Sequence, residues 1–288
     1  MLTVLAPAKL NLTLEVLGKH SDGFHEVRSV IQTINLCDSL RFQLSQNIEF
    51  ESNSPDWIPE ESLVSKVTGL LQRVSGCIKG VKIEVNKRIP LVSGLGGDSS
   101  DAAATLRALN KLWGLGLSLE KLLELAAELG SDVAFFLYGG TALLKGRGEI
   151  VTPLPPLPHR WVVLVVPQVS RPPGKTGHLY ACLKASHYTD GRITERLVET
   201  LKDGTGFTPS LLFNAFENIT FARSAELGVY RSHMVKVGAT NVHLAGSGPA
   251  TFTLIKEKVQ AEDMYIRCQQ QNFETYLIDT SDILEKVE

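Results

Sequence analysis

Cysteine is scarce in this 288-residue sequence: Cys37, Cys77, Cys182 and Cys268 stand far apart and form no CxxC pair. That spacing supplies neither a zinc knuckle nor a disulfide framework, and unpaired thiols fit a reducing compartment. A basic excess is also missing. The formal net charge of -2 argues against a general nucleic-acid binder. No apolar run approaches the roughly 20 residues needed to span a bilayer. The stretch from Met1 to Val16 has neither a basic n-region nor a cleavage site, so it reads as a strand of the fold and not as a signal peptide. Repeats and low-complexity tracts are absent, and His20, His159, His178, His187, His233 and His243 show no metal-ligand spacing. The expectation is a cytoplasmic protein, monomer or homodimer, with no nucleic-acid or membrane partner and no recognisable metal ligands.

What is present is a globular composition, 43% hydrophobic and 21% charged, long enough for two domains. Pro153, Pro155, Pro156 and Pro158 exclude a helix or a central strand between them. They place a junction near residue 155, giving domains 1–155 and 156–288. Before it, Leu10, Leu12, Leu14 and Val16 alternate with Lys9, Asn11, Thr13 and Glu15, the period of a half-buried strand. Val81 to Val85 reads as a second strand. Ala102, Leu106, Leu109 and Trp113 recur at helical spacing before a Gly114 stop, and Ser118 caps a helix that Gly130 ends. After the junction, Trp161 to Val166 is a continuous apolar strand covered on both faces, and Thr194–Lys202 and Ala261–Gln270 read as helices. Val242–Ala245, Ala250–Ile255 and Tyr276–Ile278 read as strands. Irregular mixing of helices and strands in both halves indicates an α+β fold.

The segment Pro90–Asp101 joins a strand to a helix start and is rich in glycine and serine. Gly94, Gly96 and Gly97 let backbone N–H groups turn toward a ligand, and the helix start adds unpaired donors and the positive end of its dipole. Ser93, Ser99 and Ser100 bring hydroxyls to the same place. The alternative is a plain loop capped by Asp98 or Ser99. A dinucleotide fingerprint is excluded because Ser99 stands where the third glycine belongs. Gly174-Lys175-Thr176 also lacks its P-loop glycine, Val169 occupying that place, and is taken as an accident.

With Pro90, Leu95 and the glycines around them, the loop resembles that of the GHMP kinases. Three more segments strengthen the resemblance: Ala6-Pro7-Ala8-Lys9-Leu10-Asn11-Leu12, Asp22-Gly23-Phe24-His25-Glu26 and Gly130-Ser131-Asp132-Val133-Ala134-Phe135-Phe136. Ala245-Gly246-Ser247-Gly248 resembles the family's C-terminal glycine motif. The pattern is closest to the branch that phosphorylates a cytidine diphosphate-linked methylerythritol in the non-mevalonate isoprenoid pathway. The family usually carries glycine where Val92 and Asp98 stand, tyrosine where Phe24 stands, and an Asn-Leu start where Ser62-Leu63-Val64 stands. Asp98 either repels the polyphosphate or helps to hold magnesium.

The resemblance implies a two-domain fold with the active site in the cleft, ATP as phosphoryl donor, magnesium and a small-molecule acceptor. It implies that Pro90, Ser93, Gly94, Leu95, Gly96, Gly97, Asp98, Ser99 and Ser100 cradle the triphosphate. It makes Asp132 the general base and Lys9 its electrostatic partner, while spacing alone leaves Asp132 open as a helix N-cap and Lys9 as a solvated edge residue. Asn11, about 7 Å along the same strand face, would bond the acceptor. Phe24 and His25 would hold the cytosine, Tyr180 would close it from the other side or serve as a core aromatic, and Gly246 would support the cleft or turn a hairpin. Other GHMP acceptors (mevalonate, homoserine, a sugar) and a non-catalytic sensor are the competing functions.

Overall fold

The computed structural model describes residues 1–170, 174–204 and 206–280. The end of the expected second domain, 281–288, lies outside the described residues. The alternating first segment forms β1 (Leu2–Lys19), which pairs antiparallel along its length with β2 (His25–Ser45). After β3 (Ile48–Ser52) and α1 (Leu63–Ser75) comes β4 (Gly80–Asn86), set between β3 and β2. Then follow α2 (Gly97–Trp113), α3 (Leu119–Leu129) and α4 (Val133–Tyr138). Gly114 in the left-handed region ends α2, and the Ser118 hydroxyl accepts the Lys121 N–H at the start of α3. β5 (Thr141–Lys145) and β6 (Ile150–Pro153) extend the sheet beside β2. Helices α1 to α4 cover one face around Leu71, Leu106, Trp113 and Phe135.

Between Pro153 and Trp161 the chain leaves this sheet. β7 (Trp161–Val166) opens a second one, followed by α5 (Lys175–Ala181) and α6 (Arg192–Asp203). β8 (Phe213–Asn214) returns to the first sheet and lies parallel to β1. Then come α7 (Glu217–Arg223), α8 (Ala225–Lys236), β9 (His243–Leu244), β10 (Thr251–Ile255), α9 (Lys258–Gln269) and β11 (Glu274–Asp279). The second sheet runs β11-β7-β10-β9. Val162, Leu164 and Val166 of β7 pack toward Leu10, Leu12 and Ile34 of the first sheet. Val163 and Val165 pack against Met234 of α8 and Met264 of α9. β7 is therefore covered on both faces, as its unbroken apolar run requires.

One expectation is corrected. β1 is not half-buried: Lys9, Asn11, Thr13 and Glu15 are as buried as the leucines between them. The polar face is roofed by chain distant in sequence. Thr194 at the start of α6 donates its N–H to Glu15 (2.7 Å) and its hydroxyl to Thr13 (3.0 Å). The start of α2 and the turn at Gly246 close over Lys9.

Candidate active site

The loop after β4 is held open by backbone geometry. Gly94 and Gly96 have φ of 88° and 74°, and Gly96, with no side-chain cap, occupies the N-cap of α2. Asp98 and Ser99 thus lie in the first helical turn and do not cap it, which corrects the plain-loop alternative. First-turn N–H groups have no partners within the helix, so they remain available to an anion. A cavity of about 190 Å³ lies beside them, lined by Pro90–Gly94 and Gly96–Ser99 with Lys87 and Ile89. The Ser100 hydroxyl, in the first turn of α2, is buried without a partner among the described residues but does not line that cavity. A glycine-lined cavity beside the free N–H donors of a helix start fits a polyphosphate.

Asp132 sits at the N-cap position of α4 but makes no capping bond. Its Oδ2 instead lies 3.4 Å from Lys9 Nζ, with side-chain exposures of 33% and 6%. Lys9 Nζ donates to Asn11 Oδ1 (2.7 Å), Asn11 Nδ2 to Ser29 Oγ (2.9 Å), and Ser29 Oγ to the Thr13 carbonyl (2.5 Å). The Lys9 backbone N–H donates to the Leu95 carbonyl (2.9 Å), tying β1 to the loop. Lys9 is therefore not a solvated edge residue. Gly246, with φ 54°, backs this group: a Cβ there would lie 3.1 Å from Lys9 Nζ and 2.9 Å from the Gly94 carbonyl. The turn it belongs to also closes the β9–β10 hairpin, so both readings of Gly246 hold together. A cavity of about 340 Å³ spans this centre, lined by Lys9, Asn11, Asp132, Tyr180, Phe216 and Gly246 among others.

A third cavity, about 570 Å³, adjoins it through Asp132, Thr176 and Tyr180 and is walled by Lys19, Phe24, His25 and Arg147. Phe24 is 53% exposed, with the Arg147 guanidinium carbon 3.9 Å from its ring centre. The His25 ring stacks on Tyr180 at 5.1 Å, and Tyr180 meets Phe216 edge-on at 4.9 Å. Burial, aided by the charges of Lys19 and His20, pulls the His25 pKa below its ordinary value and favours the neutral ring. Burial, with the Asp132 charge, pushes the Tyr180 phenol up to about 12, so it stays protonated.

The structure brings Pro90, Ser93, Gly94 and Gly96–Ser99 of the loop, with Lys9, Asn11, Asp132, Phe24, His25, Tyr180 and Gly246, around one connected cleft, whereas Leu95 is buried in the core and Ser100 lines no part of the cleft. Others were missed. Gly174, Lys175 and Thr176, set aside as an accident, line the central cavity at the start of α5, and the Thr176 and Ser247 hydroxyls are 2.8 Å apart. Asn214 Nδ2 donates to the Leu244 (2.9 Å) and Gly246 (2.8 Å) carbonyls. Ser29, Lys87, Arg147 and Asn214 carry no local motif; the glycine before Lys175 and Thr176 was the one signal available.

The GHMP kinases N terminal domain matches residues 62–140. The chain is 50% identical over 280 residues to a 4-diphosphocytidyl-2-C-methyl-D-erythritol kinase of Dehalococcoides mccartyi, covering 97% of this chain and 98% of that one. It is 40% identical over 270 residues to a namesake from Bacillus mycoides, covering 92% and 91%. A crystal structure of 4-(cytidine 5'-diphospho)-2C-methyl-D-erythritol kinase superposes with a TM-score of 0.82 at 31% identity, covering 97% and 99%. The chain belongs to the 4-diphosphocytidyl-2-C-methyl-D-erythritol kinase family, within the GHMP kinases, and has their two-domain α+β fold.

Proposed function

We infer that the chain transfers the γ-phosphoryl group of ATP to the 2-hydroxyl of 4-diphosphocytidyl-2-C-methyl-D-erythritol. The supporting observation is the Lys9–Asp132 pair, 3.4 Å apart, where the central cavity opens both to the glycine loop and to the His25–Tyr180 wall. Residues 1–155 and 156–288 serve as the two domains on either side.

The loop N–H groups and the start of α2 hold the triphosphate and offset charge that develops during transfer. The acceptor hydroxyl, placed by Asn11, attacks the γ-phosphorus in line as the bond to ADP breaks. Its proton passes to Asp132, and Lys9 Nζ, 3.4 Å away, lies beside the same reacting centre. Magnesium would neutralise phosphate charge. Among the described residues no group of three His, Cys, Asp or Glu side chains gathers to hold a metal. The ion would therefore be held chiefly by the nucleotide phosphates with Asp98, as magnesium commonly is. His25, Tyr180, Phe24 and Arg147 form an aromatic and cationic wall suited to a nucleoside diphosphate; mevalonate, homoserine and sugars have no base for it to stack. A non-catalytic sensor would have no need of the Lys9–Asp132 pair.

The test is ADP formation with the cytidine-linked acceptor beside mevalonate, homoserine and galactose, for the wild type and Asp132→Ala. Turnover is expected on the first acceptor alone, and Asp132→Ala is expected to lose about 10²–10⁴-fold with its melting temperature kept. Turnover on any of the other three and none on the first would overturn the acceptor. Near wild-type rates in Asp132→Ala would remove the general base.

A further inference from the structure

Val92 has a φ of 52°, in the left-handed region, where an L-residue costs roughly 1–2 kcal/mol and a β-branched one is a rare outlier. No burial offsets this, because the side chain is 55% exposed. The turn around it is fixed by its neighbours. Ser93 Oγ donates to the Pro90 carbonyl (2.6 Å), and the Ala250 N–H donates to the Ser93 carbonyl (3.1 Å). Such over-determined strain gathers at functional positions.

The position is a boundary. Val92, Gly94 and Gly96 are the residues that line both the loop cavity and the central cavity. Of these, Val92 alone has a side chain. Both glycines are closely packed: a Cβ at Gly94 would meet the Ala245 carbonyl at 2.0 Å, and one at Gly96 would meet Phe136 and Lys9 at 3.0 and 3.1 Å. Val92 therefore brings the one side chain that borders both the loop cavity and the central cavity.

We propose that Val92 is an apolar gate that keeps water from the γ-phosphate until the acceptor fills the central cavity, and so suppresses uncoupled ATP hydrolysis. The proposal rests on the phosphotransfer reading above. In the suppressed reaction a water oxygen forms the new bond to the γ-phosphorus while the bridging bond to ADP breaks. The water proton goes to Asp132 or solvent, and the products are ADP and phosphate. An alkyl group at the neck withholds hydrogen-bond partners from that water.

Val92→Gly removes both strain and bulk, Val92→Ala removes bulk while keeping the unfavourable φ, and Val92→Ile keeps both. Phosphate release from ATP alone and phosphoryl transfer to the cytidine-linked acceptor are measured for each, with melting temperatures. The ratio of hydrolysis to transfer is expected to rise about tenfold in Val92→Gly and Val92→Ala and to stay at the wild-type level in Val92→Ile. Val92→Gly should melt above Val92→Ala. An unchanged ratio in Val92→Gly and Val92→Ala, with transfer intact, overturns the gate alone. A rise confined to Val92→Gly assigns the effect to backbone freedom and overturns it too, as does a rise in Val92→Ile. A wild type that transfers nothing to the acceptor overturns the phosphotransfer reading, and the gate with it.

Discussion

A neutral imidazole at position 25 has a consequence for pH. Its pKa is lowered mainly by burial, with Lys19 and His20 adding repulsion, so the ring is uncharged at and above the ordinary histidine value of about 6.5. A neutral ring can donate at one nitrogen and accept at the other, which suits an uncharged base. Because the folded-state pKa lies below the unfolded one, protonation opposes both the fold and this recognition. Both are lost as pH falls through the lowered value, and neither changes above 6.5. The acceptor KM should therefore be flat from pH 8 to 6.5 and rise only under further acidification, and His25→Gln should abolish that acidic rise. A KM that climbs between pH 8 and 7 would contradict a neutral His25. Lys9, Asp132 and His25 could be singled out because each sits in a short run that resembles a family motif, spacing alone having left Asp132 open as a cap and Lys9 as an edge residue. Ser29 and Arg147 were not, since their roles arise from strand register and a contact across 123 positions with Phe24.

At the scale of the element, the loop hangs from an ion cluster that joins β2, β4 and α2. Lys87 Nζ lies 2.6 Å from Asp38, 2.8 Å from Asp101 and 3.7 Å from Asp98. Asp38 Oδ1 also accepts the Arg88 and Ile89 N–H groups at 2.5 and 2.8 Å. Burial opposes the Lys87 charge, but Asp101 and Asp38 outweigh it and raise its pKa. Burial, then Asp38, raises the Asp101 pKa well above the carboxylate range despite Lys87. Lys87→Met leaves two buried carboxylates uncompensated, a loss of about 3–5 kcal/mol near neutral pH. Protonation relieves that repulsion, and a raised folded-state pKa means stability present in acid is lost as pH rises. The deficit in denaturant midpoint should thus be larger at pH 8 than at pH 5; the reverse order would show that the carboxylates are not the cause. None of this could be read from Lys87, whose partners stand 49 and 14 positions away. The end of α2 was legible, because Gly114 answers a local need. Its start was left open between a ligand loop and a cap at Asp98 or Ser99; Gly96 takes the cap position and leaves the first-turn donors to the cleft.

The molecule as a whole joins its halves where the chemistry lies. The return of β8 to pair with β1 escaped the sequence because two residues give no periodicity, and its register was set only once β1 was in place. The runs of β7, β10 and α9 were legible, β7 as an unbroken apolar stretch and all three being long enough to stand out from their flanks. Along the join, the Gly94 backbone touches the Ala245 carbonyl so closely that no Cβ fits. Asn214 of β8 fixes the Gly246 turn through two donated hydrogen bonds, while its Oδ1 accepts the Phe216 N–H at 2.9 Å. Gly246 in turn abuts Lys9. Asn214 thus reaches Lys9 only through that turn, and the expectation is that it positions Lys9 relative to Asp132. Asn214→Ala should leave the Leu244 and Gly246 carbonyls without these donors, at a stability loss of about 1–3 kcal/mol. If the turn then drifts from Lys9, kcat should fall by about tenfold or more while the KM for ATP, which depends on the loop N–H groups, stays close to the wild type. Asn214→Gln, which keeps the amide, should recover part of the stability and less of the rate, since its carbonyl and amide sit one methylene further out. An Asn214→Ala enzyme that is destabilised yet turns over at the wild-type kcat would show that this clamp holds the fold together without setting the catalytic geometry.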